Sequence, residues 1–329
     1  MDLKPLIRIE NLTKRFSINV GKKIRKSEFT AVNNVSFNIG KGEIFGLVGE
    51  SGCGKSTLAM LTLCLEKASS GAIYYEDTNI TDLNYGKMRP FRKDMQIVFQ
   101  DPSDSLDPRF NLRQIMEEPL NIHSWGNRQE RRDHIARLFE SVGLGTHLLE
   151  RYPHQLSGGQ RQRLCIARSL ILSPKFMVCD EAVASLDVSI QAQILNLLLD
   201  LKDEFGLTYL FISHNLAAVK FVSDHIGVMY FGNLVELADT EELFGNVQHP
   251  YTAALLSSVP EPDPTSEKKR DILRSSVPSL INPPDGCVFH PRCKYATEQC
   301  SREAPVLRDI GNGHCVACHR AGVMNKAVN

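Results

Sequence analysis

The sequence predicts an α/β fold: a mainly parallel sheet covered by helices on both faces. Three observations carry this. Short apolar runs, at 44–48, 176–179 and 209–212, read as strands buried on both faces. Helical stretches, at 161–172 and 190–204, separate them, which is the alternation that gives parallel pairing. A glycine-rich turn, Gly49-Glu50-Ser51-Gly52-Cys53-Gly54-Lys55-Ser56-Thr57, joins the first of these strands to the helix-prone run 58–61.

Bulk composition narrows the class. At 329 residues the chain is too long for one average domain, so a large domain and a smaller one are expected. Lys plus Arg number 38 and Asp plus Glu number 38, so no net basic field points to nucleic acid. The N-terminal residues lack the apolar core of a signal peptide, and no apolar run approaches the ~18 residues of a membrane span. Work at a membrane would therefore be that of a peripheral subunit.

Taken in order, residues 6–16 and 30–39 read as strands, with a charged, solvated hairpin loop at 17–28 between them. Residues 71–75 form another short strand, and 94–100 one that ends at the polar Gln100. From about 111 to 151 the character is helical, with Ile135, Leu138, Phe139 and Val142 on one face. A helical insert in an α/β core suggests a subdomain. Leu156-Ser157-Gly158-Gly159-Gln160 then opens the helix at 161–172. A proline-rich linker runs over 259–284, and a cysteine-rich tail follows it.

The glycine-rich turn has the chemistry of a phosphate cradle. Glycines let backbone N–H groups converge on phosphate oxygens, and the following helix adds its positive end. Lys55 would bridge the β- and γ-phosphates, and the Ser56 hydroxyl would ligate Mg²⁺. Transfer of a phosphoryl group to water also needs a metal contact and a positioned water. Asp180 at a strand end suits the former and Glu181 the latter. Gln100 and His214 are further strand-end candidates. Ser157-Gly158-Gly159 at a helix start makes a second anion-binding end. One nucleotide does not need two cradles, so the second is expected to serve ATP held by another subunit, in a head-to-tail dimer.

The order of these motifs, with Ser185-Leu186-Asp187 between Glu181 and His214, resembles the nucleotide-binding subunits of ABC transporters over about residues 6–245. The resemblance implies a P-loop NTPase of ABC type, with a helical subdomain at about 101–165 and an antiparallel β subdomain. It implies that Phe16 stacks on adenine and that Gly49, Ser51, Gly52, Cys53, Gly54, Lys55, Ser56 and Thr57 hold phosphate and Mg²⁺. Gln100 and Asp180 would attend the metal, and Gln100 would couple to the membrane partner. Glu181 would be the catalytic base, and His214 would contact the γ-phosphate. Asp187 would link the two sites of the dimer, and Ser157, Gly158, Gly159 and Gln160 would act in trans. One departure is Ala184-Ser185-Leu186-Asp187, where the family usually has its hydroxyl one residue earlier.

A closer resemblance, to the oligopeptide/dipeptide permease branch, rests on Asp187-Val188-Ser189-Ile190-Gln191, on His249-Pro250-Tyr251-Thr252 and on the tail Cys287-Val288-Phe289-His290-Pro291-Arg292-Cys293. It implies an ATPase that powers peptide import from the cytoplasmic face of the cell membrane. The partners implied are a second, often different ATPase subunit, two permease subunits and, indirectly, an extracytoplasmic binding protein. Residues 246–329 would be the C-terminal extension typical of this branch. A nickel or other small-solute importer is the alternative, and a soluble ABC ATPase a more distant one.

Four of the nine cysteines, Cys53, Cys64, Cys165 and Cys179, read as small buried apolar residues. The other five crowd the tail as a set of thiolate ligands, which suits zinc or an iron–sulfur cluster. The branch resemblance implies a [4Fe-4S] cluster on Cys287, Cys293, Cys300 and Cys318, with zinc as the alternative and Cys315 spare.

Overall fold

The computed structural model describes residues 4–20, 25–184, 186–257 and 283–322. The expected linker at 259–284 falls almost entirely outside the described residues, as does Ser185. The chain divides into two compact units.

The first unit comprises residues 40–44 and 83–213. Its strands Met95–Val98, Phe176–Asp180 and Thr208–Ile212 run parallel, with Phe176–Asp180 in the middle. Every residue of the last two is buried, which is why they read as unbroken apolar runs. Gln100 lies two residues past the end of its strand, on an exposed bend. The helical stretch resolves into Leu112–Ile122 and Arg128–Ser141. Each starts at an asparagine in a capping box, Asn111 with Gln114 and Asn127 with Glu130. Ile135, Leu138, Phe139 and Val142 are all buried, as their spacing predicts. The helix Val188–Phe205 ends at Gly206, whose left-handed backbone closes it.

The second unit comprises residues 4–39 and 45–82 and the described residues from His214 onward. It holds a four-stranded antiparallel sheet, ordered Arg25–Ile39, Ile7–Val20, Ser70–Tyr75, Thr78–Asn79. The expected loop at 17–28 is corrected here. Backbone pairing continues through Ser17↔Glu28 to Val20↔Arg25. A two-stranded ribbon needs only its backbone bonds to extend, so the charges that suggested a loop did not end the strands.

A second sheet in this unit is mixed. Ile44–Val48 runs parallel to His225–Tyr230, which turns at Phe231-Gly232 into Asn233–Asp239. Both turn residues have positive φ, 50° and 79°, as a tight hairpin requires. The tail adds two short strands at this edge: Cys315–Val316 pairs with Asn233–Asp239, and Arg308–Asp309 pairs with Cys315–Val316. Of the four cysteines expected in the core, Cys53, Cys165 and Cys179 are buried and Cys64 is half-buried, at a turn with φ of 50°. Burial, with the charge of Asp180 beside it, pushes the Cys179 thiol up to about 12, so it stays protonated packing material.

Candidate functional site

The glycine-rich loop leaves the strand Ile44–Val48 and enters the helix Lys55–Thr62. Gly54 shows why this loop needs glycine. Its φ is 107°, and a Cβ there would meet the Ala31 carbonyl oxygen at 2.2 Å, a backbone atom that cannot yield. No side chain caps the helix that follows, and its first turn holds no acidic residue. Its first N–H groups and positive end therefore suit an anion. Lys55 is only 4% exposed and donates to the carbonyl oxygens of Gly49 (2.8 Å) and Glu50 (3.1 Å). Ser51, Gly52 and Ser56 are exposed around it, while Thr57 is half-buried. Cys53 is buried, and that burial raises its thiol pKa, so it packs rather than reacts.

The loop is pinned from within its own unit. Gly232 N–H donates to the Cys53 carbonyl at 2.9 Å, and Glu50 N–H donates to the Tyr251 hydroxyl at 2.8 Å. The guanidinium of Arg292 spans the Glu50 carboxylate. His214 is exposed just beyond Ser213. Phe16 is half-buried, stacked on Phe29 with ring centres 5.5 Å apart and with the Lys14 ammonium 4.7 Å from its ring centre.

The remaining candidates for the nucleotide chemistry belong to the first unit. Ser157 caps the helix Gly158–Leu170, which therefore starts three residues earlier than the expected Arg161. Its hydroxyl accepts from Gln160 N–H (3.3 Å), and the Gln160 side chain accepts from Ser157 N–H (3.0 Å). The two glycines thus lie in the first helical turn. A Cβ at Gly159 would press on Ile190 Cγ2 at 2.9 Å, whereas one at Gly158 would meet only Leu186 at an ordinary 3.7 Å. Among the described residues nothing requires Gly158 to be bare, and it is exposed.

Asp180 is buried at the end of its strand. Glu181 follows with φ of 50°, an uncommon backbone for a residue with a side chain, and donates its N–H to the Ile212 carbonyl at 2.9 Å. Asp187 is the N-cap of the next helix, yet its exposed carboxylate makes no capping bond.

In the tail, Cys287, Cys293, Cys300 and Cys318 line one small cavity together with His249 and Phe289. Burial, followed by the nearby thiols of Cys300, Cys318 and Cys293, pushes the Cys287 thiol up to about 11. Cys315 does not line this cavity and sits instead in a short tail strand, opposite Leu237. Among the described residues no three His, Cys, Asp or Glu side chains are gathered as a single metal ion would need. Burial holds His249 down to about 4, so it is neutral and its Nδ1 accepts from Tyr251 N–H at 3.0 Å.

Comparison with known proteins decides the family. The model described as "ABC transporter" matches residues 32–184, and that described as "Oligopeptide/dipeptide transporter, C-terminal region" matches 235–300. A protein named a putative peptide import ATP-binding protein, from Brucella ovis, is 44% identical over 97% of this chain and 99% of its own length. The chain belongs to the ABC transporter family. As a member it is an ATP-hydrolysing cassette. The oligopeptide transport ATP-binding protein AppF of Bacillus subtilis is 46% identical over 95% of this chain and 97% of its own. Among solved structures, the dimeric cassette MJ0796 in a post-hydrolysis state bound to ADP and Pi is 29% identical, with a TM-score of 0.63. It matches 71% of this chain and 98% of its own. Part of a Clostridium perfringens transporter complex, cbiO1, is 27% identical with a TM-score of 0.64, over 74% of this chain and 92% of its own.

Sequence reasoning missed the partners of the phosphate loop: Tyr251, Arg292 and the role of Glu50. The motif around Arg292 was visible, but no spacing rule links residues 242 positions apart.

Proposed function

We propose that this chain is the ATP-hydrolysing subunit that powers a membrane importer of peptides. The observation that carries the reading is the near full-length likeness, tail included, to proteins named for peptide import and oligopeptide transport. On this reading residues 6–245 form the nucleotide-binding domain, about 101–165 its helical subdomain, and 246–329 the extension typical of peptide permeases. No helix among the described residues is long and apolar enough to cross a membrane, which fits a peripheral subunit on the cytoplasmic face. Its partners are a second ATPase subunit, two permease subunits and, indirectly, an extracytoplasmic binding protein.

The residues divide the chemistry as follows. Gly49, Ser51, Gly52, Cys53, Gly54 and Thr57 shape the phosphate cradle, Lys55 offsets phosphate charge, and Phe16 stacks on adenine. Ser56, Asp180 and Gln100 would hold Mg²⁺, which would offset phosphate charge. Glu181 takes a proton from the attacking water, and its uncommon backbone (φ 50°) supports that role, since such strained positions cluster at active sites. His214 contacts the γ-phosphate. Ser157, Gly158, Gly159 and Gln160 complete the partner subunit's site, which accounts for an exposed glycine at 158 that no described residue crowds. Asp187, uncommitted to its helix, links the two sites.

From the branch resemblance we carry over a [4Fe-4S] cluster that Cys287, Cys293, Cys300 and Cys318 would hold, with zinc as the alternative. The four line one small cavity together. When bound, the cluster supplies a covalent cross-link for a tail with little core of its own.

Affinity purification of the full-length chain from its native membrane tests the assignment. Two permease subunits and a second ATPase should co-purify. Recovery as a soluble protein bound to ribosomes or DNA would overturn it.

A further inference from the structure

The ion pair between Arg292 and Glu50 joins the cysteine-lined tail to the phosphate loop inside one unit. Nη1 lies 2.8 Å from Glu50 Oε2 and Nη2 lies 3.0 Å from Oε1, a two-pronged pair. The Arg292 side chain is 6% exposed and that of Glu50 25%, so the pair is only weakly screened by solvent. Nη1 also lies 3.4 Å from the Tyr230 hydroxyl, which keeps the guanidinium from swinging away. Glu50 is held a second time, through its N–H to Tyr251. The carbonyl oxygens of Glu50 and of Gly49 before it are the two that seat the Lys55 ammonium. A shift of Glu50 would therefore displace the cation that faces ATP phosphate.

What fixes Arg292 is the turn that carries it. His290–Arg292 is a single 3-10 turn between Cys287 and Cys293. His290 N–H donates to the Cys287 carbonyl at 2.9 Å, and Arg292 N–H to that of Phe289 at 3.0 Å. Cys287 N–H in turn donates to the Cys300 carbonyl at 2.8 Å, tying this turn to the next cysteine segment. Phe289 packs edge-on against Tyr230 and Tyr251, with ring centres 5.2 and 5.5 Å away. The guanidinium is in register with Glu50 only while this cysteine-bracketed turn stays closed.

We infer that Arg292 is a positioning residue of the ATP site, through which the cysteine module sets the affinity of the phosphate loop for nucleotide. The inference rests on the chain's being an ATPase and is independent of what the cysteines hold. Loss of the module, by oxidation or by removal of a bound group, would then weaken ATP binding rather than the chemical step.

The test is a fluorescent-ATP titration of the full-length chain, with kcat measured in the assembled complex. Arg292→Gln should raise the ATP dissociation constant about ten-fold, toward the lower end of the range for coupled sites, and leave kcat at saturating ATP nearly unchanged. Arg292→Lys keeps the charge but loses the fork, and should fall between. Cys293→Ser should weaken ATP in the same way. In a Glu50→Ala background, neither Arg292→Gln nor Cys293→Ser should add to the effect, because both act through Glu50. Should Arg292→Gln not fold, Arg292→Lys carries the same comparison. Unchanged ATP affinity in a folded Arg292 variant, or equal effects with and without Glu50, would overturn the inference. Either result would leave the peptide-import assignment untouched.

Discussion

Nε2 of His314 lies 2.9 Å from Oε1 of Glu236, and the two side chains are 1% and 0% exposed. The other ring nitrogen lies 3.2 Å from Glu242 Oε1. Glu236 also accepts the N–H groups of Gln248 (2.7 Å) and His249 (3.2 Å). This network fastens the tail strand Cys315–Val316 to the sheet strand Asn233–Asp239. Burial alone would lower the His314 pKa, but the hydrogen bonds to Glu236 and Glu242 outweigh it and raise the value. The proton is thus bound more tightly in the folded state.

A pH dependence follows, with a definite sign. The stabilisation from His314 is complete below the ordinary imidazole value of about 6.5 and is lost as pH rises through the raised value. Hydrogen exchange at residues 308–316 should accelerate relative to the core as pH rises above about 6.5 and through the raised value. His314→Gln should flatten that trend. A tail equally protected across the range would contradict this account.

Glu181→Gln should cut ATP turnover by at least about a hundred-fold, the scale of a lost general base, while ATP still binds. ATP-bound dimers should then accumulate, visible as a doubling of mass in light scattering. Turnover at the normal rate would remove Glu181 from its role.

The two glycines that open the helix Gly158–Leu170 should behave differently. Gly159→Ala crowds Ile190 and should lower stability by about 1–3 kcal/mol, the usual cost of overpacking. Gly158→Ala meets only ordinary contacts and should fold normally, yet lose ATPase activity in the assembled dimer. Thermal melts set beside ATPase rates separate the two. Full activity in Gly158→Ala would argue against its facing a partner's phosphate.

Iron analysis of protein purified without oxygen distinguishes the tail cysteines. Cys315→Ser should retain the full iron content, because Cys315 belongs to a tail strand opposite Leu237 and does not line the cavity. Cys300→Ser should lose most of it. Zinc alone in the unaltered protein would refute the cluster.

Local chemistry made much of this molecule legible from sequence. The phosphate loop, the Ser157 helix start and the Asp180-Glu181 strand end are each written in consecutive residues, because a cradle, a cap and a strand end are made by neighbours in the chain. What was not legible depends on pairing across long separations. The extension of the hairpin through 17–20 and 25–28 depends on backbone register, which charged side chains do not report. Cys64 was expected in the core because its residue type favours burial, but it sits half-exposed at a left-handed turn. The fit of Arg292 on Glu50 and of His314 on Glu236 emerges only when the tail folds back onto its sheet.

The most direct measurement is the ATPase rate of the purified membrane complex, with its binding protein present, as short peptides are added. The account predicts stimulation by peptides, abolished by Glu181→Gln in this chain. A complex indifferent to peptides but stimulated by Ni²⁺ or another small solute would contradict it.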